Sequence, residues 1–206
     1  MKAVLISIQP KWVFLIIARK MGWNIGKEKT IEVRKDFPKA EDWNKQAKIY
    51  CSKNKQSFAE IPKEYQPLME KLLSKVIGEF VCDRIDEFHE WELSTSKRFY
   101  EEEKARLDLF LKESCLSYDE VCKYRENLSH IKPLYGWHIS DLKIYDKPKE
   151  LSEFITPTDC DSVIAKDMLC NTCCICSDFC TKKPKRINRP PQSWCYVEEL
   201  QDGYND

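Results

Sequence analysis

Lys29-Thr30-Ile31-Glu32-Val33-Arg34-Lys35 alternates apolar and polar residues while carrying several charges. As a strand, it places Thr30, Glu32 and Arg34 on one face and Ile31 and Val33 on the other, with Lys29 at the start of the apolar face. Glu32 and Arg34 then stand roughly 7 Å apart at their Cα atoms, from a rise of about 3.3 Å per residue. That spacing suits a carboxylate steering a guanidinium toward an anionic ligand. By local pattern alone, however, the stretch reads as a solvated strand face with an ion pair contributing roughly 0–1 kcal/mol.

Upstream, Val4, Ile6 and Ile8 alternate with Leu5 and Ser7 and predict a buried first strand. Pro10 fits the first turn of a helix, where its missing N–H is harmless, and Trp12 to Ala18 supply an apolar helical body. Trp12 is expected in the core, with base stacking as the alternative. Gly22, Asn24 and Gly26 then form a turn leading into the charged strand, which ends at Asp36-Phe37-Pro38.

Downstream, Lys48-Ile49-Tyr50-Cys51 predicts another strand, and a polar segment with Pro62 and Pro67 follows. The run Lys75 to Cys82 predicts a further strand on which Glu79 shares a face with Ile77 and Val81, a setting in which burial would raise its pKa. A helix is expected from about Ser96 to Lys112, with Phe99, Leu107, Phe110 and Leu111 inward and Glu102 and Arg106 outward. Ser117-Tyr118-Asp119-Glu120 has the form of a capping box and predicts a second helix from Tyr118 to about Glu126. Both helices read as scaffold. Trp137 to Tyr145 returns to strand alternation, and His138 within it, lacking an adjacent nucleophile, reads as structural. Ser193 to Val197 predicts a final strand, whose Trp194 and Tyr196 share a parity and either stack on bases or face the core.

The chain has 206 residues, 34 basic and 34 acidic, enough length for one elaborated domain. Any affinity for nucleic acid must therefore come from a local patch rather than from net charge. No run approaches the roughly 18–20 apolar residues that span a bilayer. Gln9-Pro10-Lys11 interrupts the first apolar run and no small-residue cleavage site follows the second, so no leader peptide is expected. The eleven cysteines are accordingly expected in a reducing cytoplasm, where clustered thiols suggest metal more than disulfide.

Cys170, Cys173, Cys176 and Cys180 follow the spacing C-x2-C-x2-C-x3-C. Four thiolates at that spacing can close a tetrahedral zinc site, which is structural rather than catalytic. The alternative is an iron–sulfur cluster, although Cys180 is followed by Thr181 and not by proline. Cys174 is an additional candidate ligand, and Cys160 or Cys195 could replace one of the four. Lys182, Lys183, Lys185, Arg186 and Arg189 come directly afterwards and form a candidate phosphate-tracking patch, with a solvated linker as the alternative.

Taken together, Ser7 to Val13, Lys29 to Lys35, Val76 to Asp83, His138 to Tyr145 and Arg189 to Val197 resemble ASCH-domain proteins, particularly a group common in phages and prophages of Gram-positive bacteria. The resemblance implies an α+β chain with a PUA-like mixed β pseudo-barrel and flanking helices. Combined with the segments read above, it gives a single domain over residues 1–200, with a helical insertion at about 96–126, a cysteine-rich metal-binding insertion at about 160–189 and a loose tail at 201–206. It further implies binding of RNA or a modified nucleotide beside a G-x-K-x-x-E-x-R motif, which Lys29, Glu32 and Arg34 match in its second half. Lys27 stands where the glycine should, and Gly26 lies one residue upstream. Some relatives hydrolyse acylated cytidine with a lysine and a threonine three residues on, or cleave RNA; here Glu32 takes the threonine's place.

The resemblance turns the Lys29–Lys35 stretch from a solvated face into the expected wall of a ligand cleft. In a binding module, Lys29 and Arg34 would meet phosphate or an exocyclic oxygen. Glu32 would orient Arg34 or accept from a base amine, and the basic run would follow the backbone. Alternatives are a small hydrolase of acylated nucleosides or RNA, with Lys29 and either Glu32 or Glu79 in acid–base roles, and a phage–host protein-interaction module.

Overall fold

A computed structural model describes residues 2–39, 43–89, 97–126, 128, 132–157 and 185–199. Strand β1, Lys2–Ile8, is buried on both faces, because Val4, Ile6 and Ile8 enter the main core while Leu5 enters a second cluster with Tyr50, Phe154 and Val197. Helix α1, Pro10–Ile17, begins on its proline and buries Val13, Phe14, Ile16 and Ile17. Gly22 and Gly26 take φ values of 71° and 68° in the loop that turns the chain back, conformations that cost glycine little.

Then come β2, Ile31–Arg34, β3, Trp43–Cys51, and two short helices in the polar segment, α2, Lys55–Ala59, and α3, Gln66–Glu70. Strands β4, Val76–Val81, and β5, Ile85–Phe88, precede helices α4, Lys97–Ser114, and α5, Tyr118–Arg125. The latter carries the expected reciprocal cap between Ser117 and Glu120. The stretch read as one strand from Trp137 is two strands, β6, Leu134–His138, and β7, Ser140–Lys149. Ile139 lies between them and donates its N–H to Thr30 O. Strands β8, Phe154–Ile155, and β9, Trp194–Glu199, complete the order.

Among the described residues the strands form two sheets, one in the order β7-β4-β3-β1-β9-β8 and the other β2-β6-β5. Only the β1–β3 pair is parallel, so the chain is α+β with a mixed main sheet and flanking helices, as expected. Trp137 of the small sheet lies 5.5 Å from Trp43 of the large one, ring centre to ring centre, within one core. On its other side the small sheet packs Ile31, Val33 and Leu134 against Phe110 of α4 and Val121 of α5. Trp194 and Tyr196 pack edge to face against each other and against the main core, and Trp194 Nε1 donates to Asp36 Oδ1 at 2.7 Å. No helix among the described residues is long and apolar enough to cross a membrane.

Strands β4 and β7 approach closely at Gly78, where a Cβ would run into the carbonyl oxygen of Lys143. Gly78→Ala is therefore expected to destabilise the fold by about 2–3 kcal/mol, read from the urea midpoint; an unchanged midpoint would contradict this packing of β4 on β7.

Candidate functional site

Strand alternation sends Ile31 and Val33 toward α4 and α5, and Glu32 and Arg34 toward the end of β1. The face that carries them is not solvated. Lys29, Glu32 and Arg34 are 3%, 5% and 7% exposed, which corrects the reading of a surface ion pair. Glu32 Oε1 lies 3.0 Å from Arg34 Nη2, and Glu32 Oε2 lies 3.4 Å from Lys29 Nζ. Lys29 also joins the polar side rather than the apolar one. The ladder starts only at Ile31, so two-residue alternation does not govern its side chain.

Each cation has a second anchor. Lys29 Nζ donates to Ser114 O, on the last residue of α4, at 2.8 Å, and Arg34 Nη2 donates to Ser7 O of β1 at 2.6 Å. Two cations around one carboxylate leave a net positive charge in a low-dielectric setting. Burial lowers the pKa of Lys29, opposed by the attraction of Glu32. Arg34 Nε and Ser7 Oγ are buried without a hydrogen-bond partner, and Glu32 Oε2 has only the ion pair with Lys29; native interiors usually avoid such unmet polar capacity.

These residues line a cleft of about 660 Å³. Trp12 of α1, Asn54 ahead of α2, Lys123 and Tyr124 of α5, and Pro191 and Gln192 ahead of β9 complete its walls. Trp12 is half-buried at this wall rather than sealed in the core, because it lies on the edge of α1 that faces the cleft. Lys29 Nζ lies 5.1 Å and Lys11 Nζ 4.4 Å from the centre of its ring, distances at which the ring face attracts a cation. Helix α5, read from the sequence as scaffold, is thus part of the site. Its Glu120 closes the helix cap, lines the cleft and meets Lys11 at 3.1 Å. Lys123 and Tyr124 had no sequence signal beyond their place on a capped helix, and Asn54 was hidden in a polar loop. Burial raises the pKa of Tyr124 against the pull of the Arg34 guanidinium, so its hydroxyl stays neutral. The cleft offers aromatic faces, buried cations and side-chain amides, the means to hold a planar anionic ligand.

Glu79 is placed elsewhere and does not line the cleft. It accepts hydrogen bonds from Lys48 Nζ at 2.5 Å and from the Tyr145 hydroxyl at 3.0 Å, beside the Leu5–Tyr50–Phe154 cluster. Burial pushes its carboxyl up as expected, but the Lys48 ammonium and the Tyr145 hydroxyl outweigh it and the pKa is lowered. His138 ends β6 with Nε2 2.8 Å from Asp86 Oδ2, also outside the cleft lining.

Lys185, Arg186 and Arg189 are exposed, and Arg186 pairs with Ile155 across β8. The residues that follow, Pro190 to Gln192, reach the cleft. Lys182 and Lys183 lie outside the described residues. So do Cys160, Cys174 and the four cysteines Cys170, Cys173, Cys176 and Cys180. Cys195 sits in β9 packed against the Leu5 cluster, where burial pushes its thiol up to about 11. Among the described residues, no group of three or more His, Cys, Asp or Glu side chains could hold a metal ion.

Neither a protein-family description nor a curated protein sequence matches the chain. Among solved structures it is similar to the crystal structure of ASCH from Zymomonas mobilis, with a TM-score of 0.46 and 15% identity over 98% of this chain and 89% of that one. A mutant form of the same protein gives the same score and identity over 92% of its length. No residue role passes from those structures to this chain.

Removing the Glu32 charge leaves two cations facing each other in the interior. Glu32→Gln is expected to lower stability by about 3–5 kcal/mol, measured by urea denaturation; a loss within the 0–1 kcal/mol of an exposed pair would contradict the buried arrangement. A carboxylate with a lowered folded pKa contributes stability that is present above its ordinary value of 4.5 and lost as pH falls through the folded value. Glu79→Gln should therefore flatten the acid side of the stability curve below pH 4.5; an unchanged acid slope would count against the Lys48–Glu79–Tyr145 network.

Proposed function

We propose that this chain is a cytosolic nucleotide-binding module of the ASCH type, whose cleft holds one unpaired nucleotide, either within RNA or as a modified nucleotide. The observation that carries the proposal is the buried Lys29–Glu32–Arg34 cluster beneath the half-exposed ring of Trp12. The same residues match the K-x-x-E-x-R half of the ASCH motif. A base stacks on the Trp12 face, an interaction worth roughly 1–3 kcal/mol. Arg34, held at 3.0 Å by Glu32, and Lys29 receive a phosphate or an exocyclic oxygen. The amides of Gln9, Gln56 and Gln192, and the amide nitrogen of Asn54, whose oxygen caps α2, offer further donors and acceptors for a base edge. Outside the cleft, the Lys182–Arg189 run follows the phosphate backbone, and Cys170, Cys173, Cys176 and Cys180 hold a structural zinc ion that orders their loop.

One observation favours a hydrolase as the second reading. Lys29 has a lowered pKa through burial, which brings a lysine closer to acting as a base at neutral pH. In that case Lys29 does acid–base work beside Glu32 on an acylated nucleoside or a phosphodiester.

Binding of mixed-sequence single-stranded RNA, measured by fluorescence anisotropy across a salt series, tests the first reading. Trp12→Ala and Arg34→Ala should each weaken binding by about tenfold or more, and affinity should fall with rising salt. Absent or salt-insensitive binding overturns it. Turnover of an acylated nucleoside or of RNA that disappears in a folded Lys29→Ala protein would establish the second.

A further inference from the structure

We infer that the cleft is one half of a groove that continues across a salt-bridged partition into a second cavity, and that the ligand is a single strand of at least two nucleotides. The inference rests on the nucleotide reading above and specifies its ligand class.

The second cavity has a volume of about 750 Å³, within the roughly 300–1,000 Å³ typical of small-molecule sites. Glu60, Leu116 and Glu120 line both cavities. Between them runs Lys11, whose Nζ lies 2.7 Å from Glu60 Oε2 and 3.1 Å from Glu120 Oε1. The chain around the central cluster alternates across the same divide. Lys29 reaches into the first cavity, while its neighbours Glu28 and Thr30 line the second. The partition thus includes part-exposed ion pairs, a weak kind, which a strand can displace or lie across.

The second cavity presents the part-exposed Leu15 and Leu111 as an apolar wall backed by the buried Phe14 and Ile61, suited to a base rather than to a second phosphate. Its charges distinguish the occupant. Glu28 is engaged by Arg19 at 3.3 Å, and Glu60 and Glu120 by Lys11. Lys27 and Lys112 are exposed at its edge, and among the described residues neither side chain has a hydrogen bond or ion pair. Lys123 stands in the same condition in the first cavity. Lys27, Lys112 and Lys123 outweigh Glu113 and the one carboxylate that Lys11 leaves in surplus between Glu60 and Glu120; added to the surplus cation of the buried cluster, they leave the two cavities together net positive and attractive to a polyanion. A strand that stacks one base on Trp12 and lays the next against Leu15 and Leu111 would pass its phosphates along those lysines.

The test compares 5′-phosphorylated ribonucleotides of mixed sequence, one, two and four units long, by competition at fixed salt. Two units should bind about tenfold more tightly than one. Lys27→Glu combined with Lys112→Glu should abolish that gain while leaving the mononucleotide affinity unchanged. Lys185→Glu with Arg189→Glu, in the basic run outside the cleft, should weaken the four-unit probe and leave the ratio between one and two units in place. The inference is overturned if two units bind no more tightly than one, if the Lys27–Lys112 variant weakens the mononucleotide as much as the longer probes, or if the gain disappears only in the Lys185–Arg189 variant. Failure of every length to bind overturns the nucleotide reading itself, an outcome distinct from binding without length dependence.

Discussion

Everything at this site depends on one carboxylate held between two cations away from water. Glu32 takes Arg34 at 3.0 Å and Lys29 at 3.4 Å, and each cation then ties the small sheet to a different element. Arg34 reaches the Ser7 carbonyl of β1. Lys29 reaches the Ser114 carbonyl at the end of α4, where unsatisfied carbonyls and the helix dipole favour a positive charge. The cluster is thus a joint between three parts of the fold as well as the floor of a cleft. Desolvating three charges is expensive, and such a group is weak evidence for stability in itself. Its surplus positive charge and its unpartnered Arg34 Nε and Ser7 Oγ make more sense as preparation for an anionic ligand.

Much of the framework was legible because local rules govern it. Alternation marked β1 and β2, Pro10 marked the start of α1, and Ser117 with Glu120 marked the start of α5. The charged strand was also legible as a pair of faces. Its burial was not, because nothing in seven residues reveals that α4 and α5 cover one face and α1 and β1 close over the other. Pleat alternation puts Lys29 on the wrong side for a related reason: a residue two places before the ladder is positioned by tertiary contacts.

The remaining walls of the cleft come from distant segments. Trp12, Asn54 and Gln192 meet through the parallel β1–β3 pairing and the return of the chain at β9, and Tyr124 joins them through the packing of α5 on the small sheet. An apolar helix sequence gave no means to separate Trp12, on the cleft edge, from Phe14, in the core. Glu79 illustrates the converse. Burial was read correctly from its apolar neighbours, but the sign of its pKa shift was set by Lys48, 31 residues away and directly opposite on β3. Two ion clusters that look alike in the sequence therefore differ in kind: Glu79 is fully engaged by its partners, whereas the Glu32 cluster keeps unmet polar capacity beside open space.

The central claim is that the cleft, and not the basic run near the C-terminus, receives the nucleotide. Photocrosslinking of single-stranded RNA bearing 4-thiouridine, followed by peptide mapping, tests it most directly. The account predicts crosslinks on the peptides that carry Trp12 and Tyr124. Crosslinks confined to the segment around Lys185 to Arg189, with none on Trp12 or Tyr124, would contradict it.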